Sequence, residues 1–181
     1  MANIDGPFGL RPSRQMTGEA TETTEYAMAD AHSTAISIGD AVMLSSGYLI
    51  IGGAGDTPVG VFAGCNYTNG AGDYVVAKAF PGDAAATNIK ALVLDDPATK
   101  FTIQCDDALT VANVGNQMDL VIVAGDAAIG VSKSTLDSTA AGDHAWRVVG
   151  LVDRPDNSWG ANQEVEVVAA KHANGNFNSA T

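Results

Sequence analysis

The chain has 181 residues, 21 acidic against 9 basic, with a formal net charge of −12, 46% apolar and 6% aromatic side chains. That length fits one domain, or one domain with an extended arm, and is long enough to bury a core without disulfide staples. Strictly apolar runs such as Ala91–Leu94 and Leu120–Ala124 fall far below the roughly 20 residues that span a bilayer, and the acid excess argues against a nucleic-acid or anionic-membrane partner, both of which need clustered Lys and Arg.

The chain opens with MANIDGPFGLRP, which lacks the basic lead and apolar centre of a secretory leader; synthesis and assembly in the cytoplasm are expected. Residues 1–25 read as an extended N-terminal arm. Pro7 and Pro12 favour extended backbone around them. Ile4, Phe8, Leu10 and Met16 keep no period of 2 or 3.6. A segment of this kind has little core of its own and is expected to be either frayed or laid on another surface. Up to Arg14 it carries a net charge of +1 against −13 for the remainder. Its candidate partner-binding residues are Phe8, Leu10, Arg11 and Arg14.

Residues 26–170 read as a β body. Gly-Asp occurs at 39–40, 55–56, 72–73, 82–83, 125–126 and 142–143. Glycine permits positive φ and aspartate bonds its own backbone two residues on, so these mark turns. Between them the predicted strands are Ala35–Ile38, Ala41–Leu44, Tyr48–Ile51, Val59–Tyr67, Tyr74–Ala79, Lys90–Leu94, Phe101–Gln104, Asp119–Val123, Ala128–Val131, Ala145–Val152 and Glu164–Ala169. Strict alternation in Phe101-Thr102-Ile103-Gln104 and Glu164-Val165-Glu166-Val167 fits a sheet with one buried face. Helix is poorly supported, with at most a turn or two at Asp83–Leu92 and Leu136–Ala141. The expected fold is all-β, a compact sandwich or barrel-like body of short antiparallel strands. Ala54–Val61 echoes Ala124–Val131, either as a repeated strand–turn–strand or as convergent turn chemistry. Residues 171–181 are polar and small, and a flexible C-terminal tail is expected.

The sequence carries no nucleophile elbow, no His-Glu-x-x-His, no close Cys/His cluster and no Walker loop. His32, His144 and His172 are widely separated and read as polar surface histidines. Cys65 and Cys105 have neighbours Asn66, Asp106 and Asp107, which do not lower a thiol pKa, so both read as small buried hydrophobes or free thiols. Asp95-Asp96 and Asp106-Asp107 flank one strand, but adjacent side chains on a strand point to opposite faces and turn chemistry explains them better than Ca²⁺ ligation. Trp159 lies in a loop composition, as a cover for the core edge or as a contact anchor. No cofactor, metal or catalytic residue is expected.

Several segments together resemble a group of tailed-bacteriophage virion proteins: Gly6-Pro7-Phe8-Gly9-Leu10-Arg11-Pro12, Gly60-Val61-Phe62-Ala63-Gly64-Cys65-Asn66-Tyr67, Asp95-Asp96-Pro97 with Phe101-Thr102-Ile103-Gln104, and Arg154-Pro155-Asp156-Asn157. The resemblance covers most of the chain and is weakest at 19–40 and 106–145. It implies a non-enzymatic virion structural protein, a head cement or decoration protein on the capsid surface, with the major capsid protein and further copies of itself in a homotrimer as partners. Trimers suit local three-fold positions on an icosahedral shell, where multivalent attachment raises affinity. A carbohydrate- or ligand-binding β module of a phage tail or neck is the alternative, resting on Trp159, Tyr67 and the Asn-rich loops.

Overall fold

The computed structural model describes residues 3–126, 128–139 and 142–175. Its strands, in chain order, are β1 (Arg11–Gln15), β2 (Thr24–Ala27), β3 (Ala41–Ser45), β4 (Tyr48–Ile51), β5 (Gly60–Thr68), β6 (Tyr74–Ala77), β7 (Thr87–Leu94), β8 (Thr99–Gln104), β9 (Gln117–Met118), β10 (Leu120–Val121), β11 (Thr135–Leu136), β12 (Trp146–Leu151) and β13 (Glu164–Ala169). Among the described residues, helix is limited to a 3₁₀ turn at Val111–Asn113. The fold is all-β, as the turn spacing predicts.

One sheet runs β2-β7-β5-β3-β4, with β6 added to β5. β2 and β4, at its two ends, also come near each other without pairing, so the sheet curls into an open barrel. Inside are Met28, Val42, Leu49, Phe62, Cys65, Tyr67, Phe80, Ile89, Ala91 and Val93. A second sheet, β1-β8-β13-β12-β9, packs on the outside of the barrel. The core between them joins Ala41, Val61 and Leu94 of the barrel wall to Phe101, Ile103, Val165, Val167, Val148 and Trp146. Trp146 meets Phe101 edge to face at 5.7 Å, a favoured aromatic geometry. A short ladder of β10 and β11 pairs Leu120 with Leu136 and adds both to this core.

Strand β5 serves both cores because its side-chain parity is reset. Val61 faces the second sheet and Phe62 the barrel interior. The register with β7 then shifts between Phe62 and Gly64. One extra residue in a bulge moves the following side chains to the other face, so Cys65 and Tyr67 join Phe62 inside the barrel.

Several sequence expectations change here. Residues 35–38 make isolated bridges, Ile36 to Phe80 and Ile38 to Val131, instead of a strand. The expected strand at 128–131 gives way to a turn over 128–130, where the Gly130 amide donates to the Asp126 carbonyl and Asp126 bridges Val131. The echo of Ala54–Val61 in Ala124–Val131 is not structural repetition: Val59 is buried in the barrel, whereas Ile129 is exposed. At the C-terminal end Lys171 and Ala173 donate backbone bonds to Ala145 and Pro58; residues 176–181 of the expected tail lie outside the described residues.

The largest correction concerns the arm. Residues 3–15 are extended, but they hold a place in the core. Leu10 is 2% exposed and belongs to the core between the sheets. Arg11–Gln15 is the edge strand of the second sheet, antiparallel to β8, with a register shift between Pro12 and Arg14. An edge is where a proline without an N–H is tolerated. Gly9 (φ +69°) and Gly39 (φ +92°) allow the close approach in which the Leu10 amide donates to the Gly39 carbonyl at 2.8 Å. A Cβ on Gly9 would lie 2.6 Å from that carbonyl oxygen and overlap Ser132. Further out, the Gln104 side chain donates to the Ile4 carbonyl (2.8 Å) and accepts from the Gly6 amide (3.0 Å). The sequence hides this because a single core residue in an extended segment creates no period.

Removing residues 1–15 is therefore expected to destabilise the body instead of leaving it intact. Leu10→Ala is the finer test. Its expected cost is about 2–5 kcal/mol, the usual range for a fully buried leucine, read from urea or thermal unfolding of the purified chain. A parent-like melting curve would show that Leu10 contributes little to the core.

Candidate functional site

The five residues expected to meet a partner are not equivalent in the structure. Phe8 is half-buried and carries the Arg11 guanidinium 4.2 Å above its ring, a cation–π arrangement that holds both side chains in place. Leu10 lies beside them and is only 2% exposed, so it anchors the segment from inside and presents little more than an edge to the surface. Arg14 is exposed and pairs with Glu166 at 3.4 Å, on the outer face of the second sheet. Trp159 is half-buried against the core between the sheets. Its loop is tied to the N-terminal segment, since the Asn3 amide group donates to the Ser158 and Ala161 carbonyls at 2.9 and 2.8 Å.

Phe8, Leu10 and Arg11 line a cleft of about 300 Å³ together with Ile38, Lys78 and Val131. The parallel bridge between Ile38 and Val131 builds part of its wall. Gly130 packs on Lys78 and Ala79, where an added Cβ would come within 2.8 Å of the Ala79 methyl. Four stretches distant in sequence thus meet at one surface. Local sequence signals reach only Phe8–Arg11, because Lys78, Ile38 and Val131 are brought in by the barrel's curl. Beside the cleft, Asp40 is buried and turned to the Ser37 amide at 2.7 Å. Burial holds its carboxyl above the usual carboxylate range, partly offset by hydrogen bonds from Ser132 and Ser37.

The acid pairs serve as structural acceptors. Asp95 accepts from the Thr24 and Tyr26 hydroxyls at 2.9 and 2.8 Å. Asp96 accepts from the Gln15 side chain at 2.9 Å and from the Ala98 amide at 2.7 Å. These two residues hold the exit of β1 and the start of β2 against the end of β7. Asp106 accepts from the Ser138 amide at 2.8 Å, and Asp107 from the Ala108 amide at 2.8 Å. Asn157 closes its loop with three bonds, two donated to the Val152 and Glu164 carbonyls and one accepted from the Glu164 amide. Among the described residues, no group of three or more His, Cys, Asp or Glu side chains is placed to hold a metal ion.

The histidines do not converge. His144 lies 3.4 Å from Asp119. His172 is 6% exposed, which corrects its expected surface position. Its Nδ1 accepts from the Asn174 amide at 3.1 Å, and burial lowers its pKa, against the smaller raising effects of Asp95, Asp96 and the Val59 backbone.

Cys65 and Cys105 are free and buried, one in each core. Burial pushes the Cys65 thiol up to about 11. Burial, with a further push from Asp106, takes Cys105 up to about 12. Both are the reverse of an activated nucleophile, whose thiol pKa is depressed. Neither thiol is expected to react with an aromatic disulfide reagent at pH 8 until the chain is unfolded in denaturant. The unfolded thiols ionise from pH 9 upward while the folded ones stay protonated, so their contribution to stability declines as pH rises from about 9 through these folded values. Rapid labelling of the native chain would contradict the burial.

No protein-family model, curated protein or solved structure matches the chain.

Proposed function

We propose that the chain is a non-enzymatic structural protein of a tailed-bacteriophage virion, a decoration or cement protein bound to the outer surface of the head. Its partner in this reading is the major capsid protein, and it acts as a homotrimer whose repeated contacts raise its effective concentration on the shell. The observation that supports the reading is an N-terminal segment locked into the core that leaves Arg11 exposed and Phe8 half-exposed beside it. Phe8 and Arg11 are presented at fixed positions because Leu10 is anchored beside them. A rigid contact loses less conformational freedom on binding than a frayed arm. The acid pairs and thiols that an enzyme would draw on are engaged in turns or buried. The specific assignment to the head draws on the sequence resemblance to virion proteins.

The test mixes purified protein with phage heads that lack it and measures bound copies after sedimentation. The expected result is saturable binding by a species three times the 18.4 kDa chain mass. Phe8→Ala is expected to reduce occupancy several-fold with the melting temperature of the free protein little changed. A parent protein that stays in the supernatant at saturating concentration would overturn the proposal.

A further inference from the structure

The basic side chains are distributed unevenly over this acidic molecule. Of the 9 Lys and Arg residues, Arg14, Lys90, Lys100, Lys133, Arg154 and Lys171 each reach a carboxylate within 3.6 Å. Arg11, Lys78 and Arg147 do not, among the described residues. In a chain with more than two acids for every base, an unpaired cation is the exception. Two of the three line the same cleft, together with the apolar Phe8, Leu10, Ile38 and Val131. Arg11 is stacked there over Phe8, and the exposed Lys78 runs alongside Gly130.

We infer that this cleft is the docking site for an extended acidic segment of a protein partner, with an apolar side chain seated on Ile38 and Val131 and flanking carboxylates received by Arg11 and Lys78. For the identity of the partner this rests on the capsid reading above; for the chemistry of the occupant it rests on the cleft alone. A cleft of about 300 Å³ accommodates one or two side chains, not a folded domain. Its apolar walls favour burial of a Leu- or Phe-sized group. Its two cations select against a neutral or basic segment, since such a sequence would leave them without counter-charges in a partly dried contact. Arg11 offers a planar fork for a bidentate carboxylate, whereas Lys78 offers a mobile point charge. The remaining acidic surface repels the same segment elsewhere, which fixes where it lands.

The first arm of the test uses the isolated full chain, labelled with ¹⁵N, and an acetylated and amidated pentapeptide of alternating leucine and aspartate. Saturable amide shifts are expected at Gly39, Lys78 and Val131. The same peptide with asparagine for aspartate should bind about tenfold more weakly, and Lys78→Glu should lose binding by a similar factor. Shifts elsewhere, equal binding of the two peptides, or parent-like binding by Lys78→Glu would overturn the inference.

The second arm returns to phage heads. Lys78→Glu is expected to lower occupancy about tenfold at limiting protein concentration, while Lys90→Gln, on a lysine already paired with Glu25, binds as the parent does. The melting temperatures of both variants are expected to match the parent's. Heads that bind the parent and Lys78→Glu equally would remove the cleft from the contact and leave the capsid reading standing. Peptide binding at the cleft with no binding of the parent to heads would overturn the capsid reading and leave the acidic-segment site standing.

Discussion

The architecture depends on how Leu10 reaches the space between the barrel and the second sheet. A side chain only 2% exposed, in a segment that otherwise follows the surface, requires the backbone to dip inward and return within a few residues. Gly9 and Gly39 make that possible because neither carries a Cβ at the crossing and both take left-handed φ. Once Leu10 is seated, Arg11–Gln15 is delivered to the edge of β8 and continues as a strand. The segment thus ties the barrel turn at Gly39 to the second sheet through one buried residue and one backbone hydrogen bond. Gln104, bonded to Ile4 and Gly6, keeps the approach to that dip in place.

The second constraint is that part of one sheet, around Ala41, Val61 and Leu94, is buried on both faces. A barrel wall with apolar contents inside and a sheet outside cannot follow simple alternation of apolar and polar residues. Strand β5 shows the consequence: consecutive residues Val61 and Phe62 enter different cores. The bulge at Gly64 then directs Cys65 and Tyr67 inward, where Tyr67 meets Phe80 edge to face at 5.2 Å. The outer sheet is simpler. Its far face is polar, with Glu166 receiving Arg14, Lys100 and the Ser13 hydroxyl, and alternation holds over residues 99–103 of β8 and 164–167 of β13, while register shifts interrupt β1 and β12.

That difference explains what could be read from the sequence. Glu164–Ala169 and Tyr48–Ile51 have the predicted boundaries, and β8 shows the predicted period at Phe101-Thr102-Ile103. These strands declare themselves locally through alternation or bounding turns. Ile36 and Ile38 each contribute a single bridge, so their apolar spacing resembles a strand without supplying a ladder. Leu10 was legible as apolar but not as core, because no neighbouring residue repeats its environment. At the candidate site, Phe8 and Arg11 stand out by residue type and by the charge of the segment. Lys78 has no such signal, since its proximity to Arg11 arises only after Ile38 and Val131 pair in parallel across the barrel's side.

The placement of charge follows from the same topology. The outer face of the second sheet brings Glu166 and Glu164 beside Arg14, Lys100 and Arg154, where cross-strand spacing lets long side chains pair. At the cleft, the surrounding backbone is made of turns at Gly39 and Gly130, and the side chains that fill it are apolar. The nearby Asp40 carboxyl is committed to the turn that precedes β3 through the Ser37 amide. Arg11 therefore turns to the Phe8 ring, the polarisable surface within its reach. A cation satisfied by an aromatic face keeps its outward N–H donors free for a carboxylate, so the stacking that orders Arg11 in the free protein also preserves its capacity to bind.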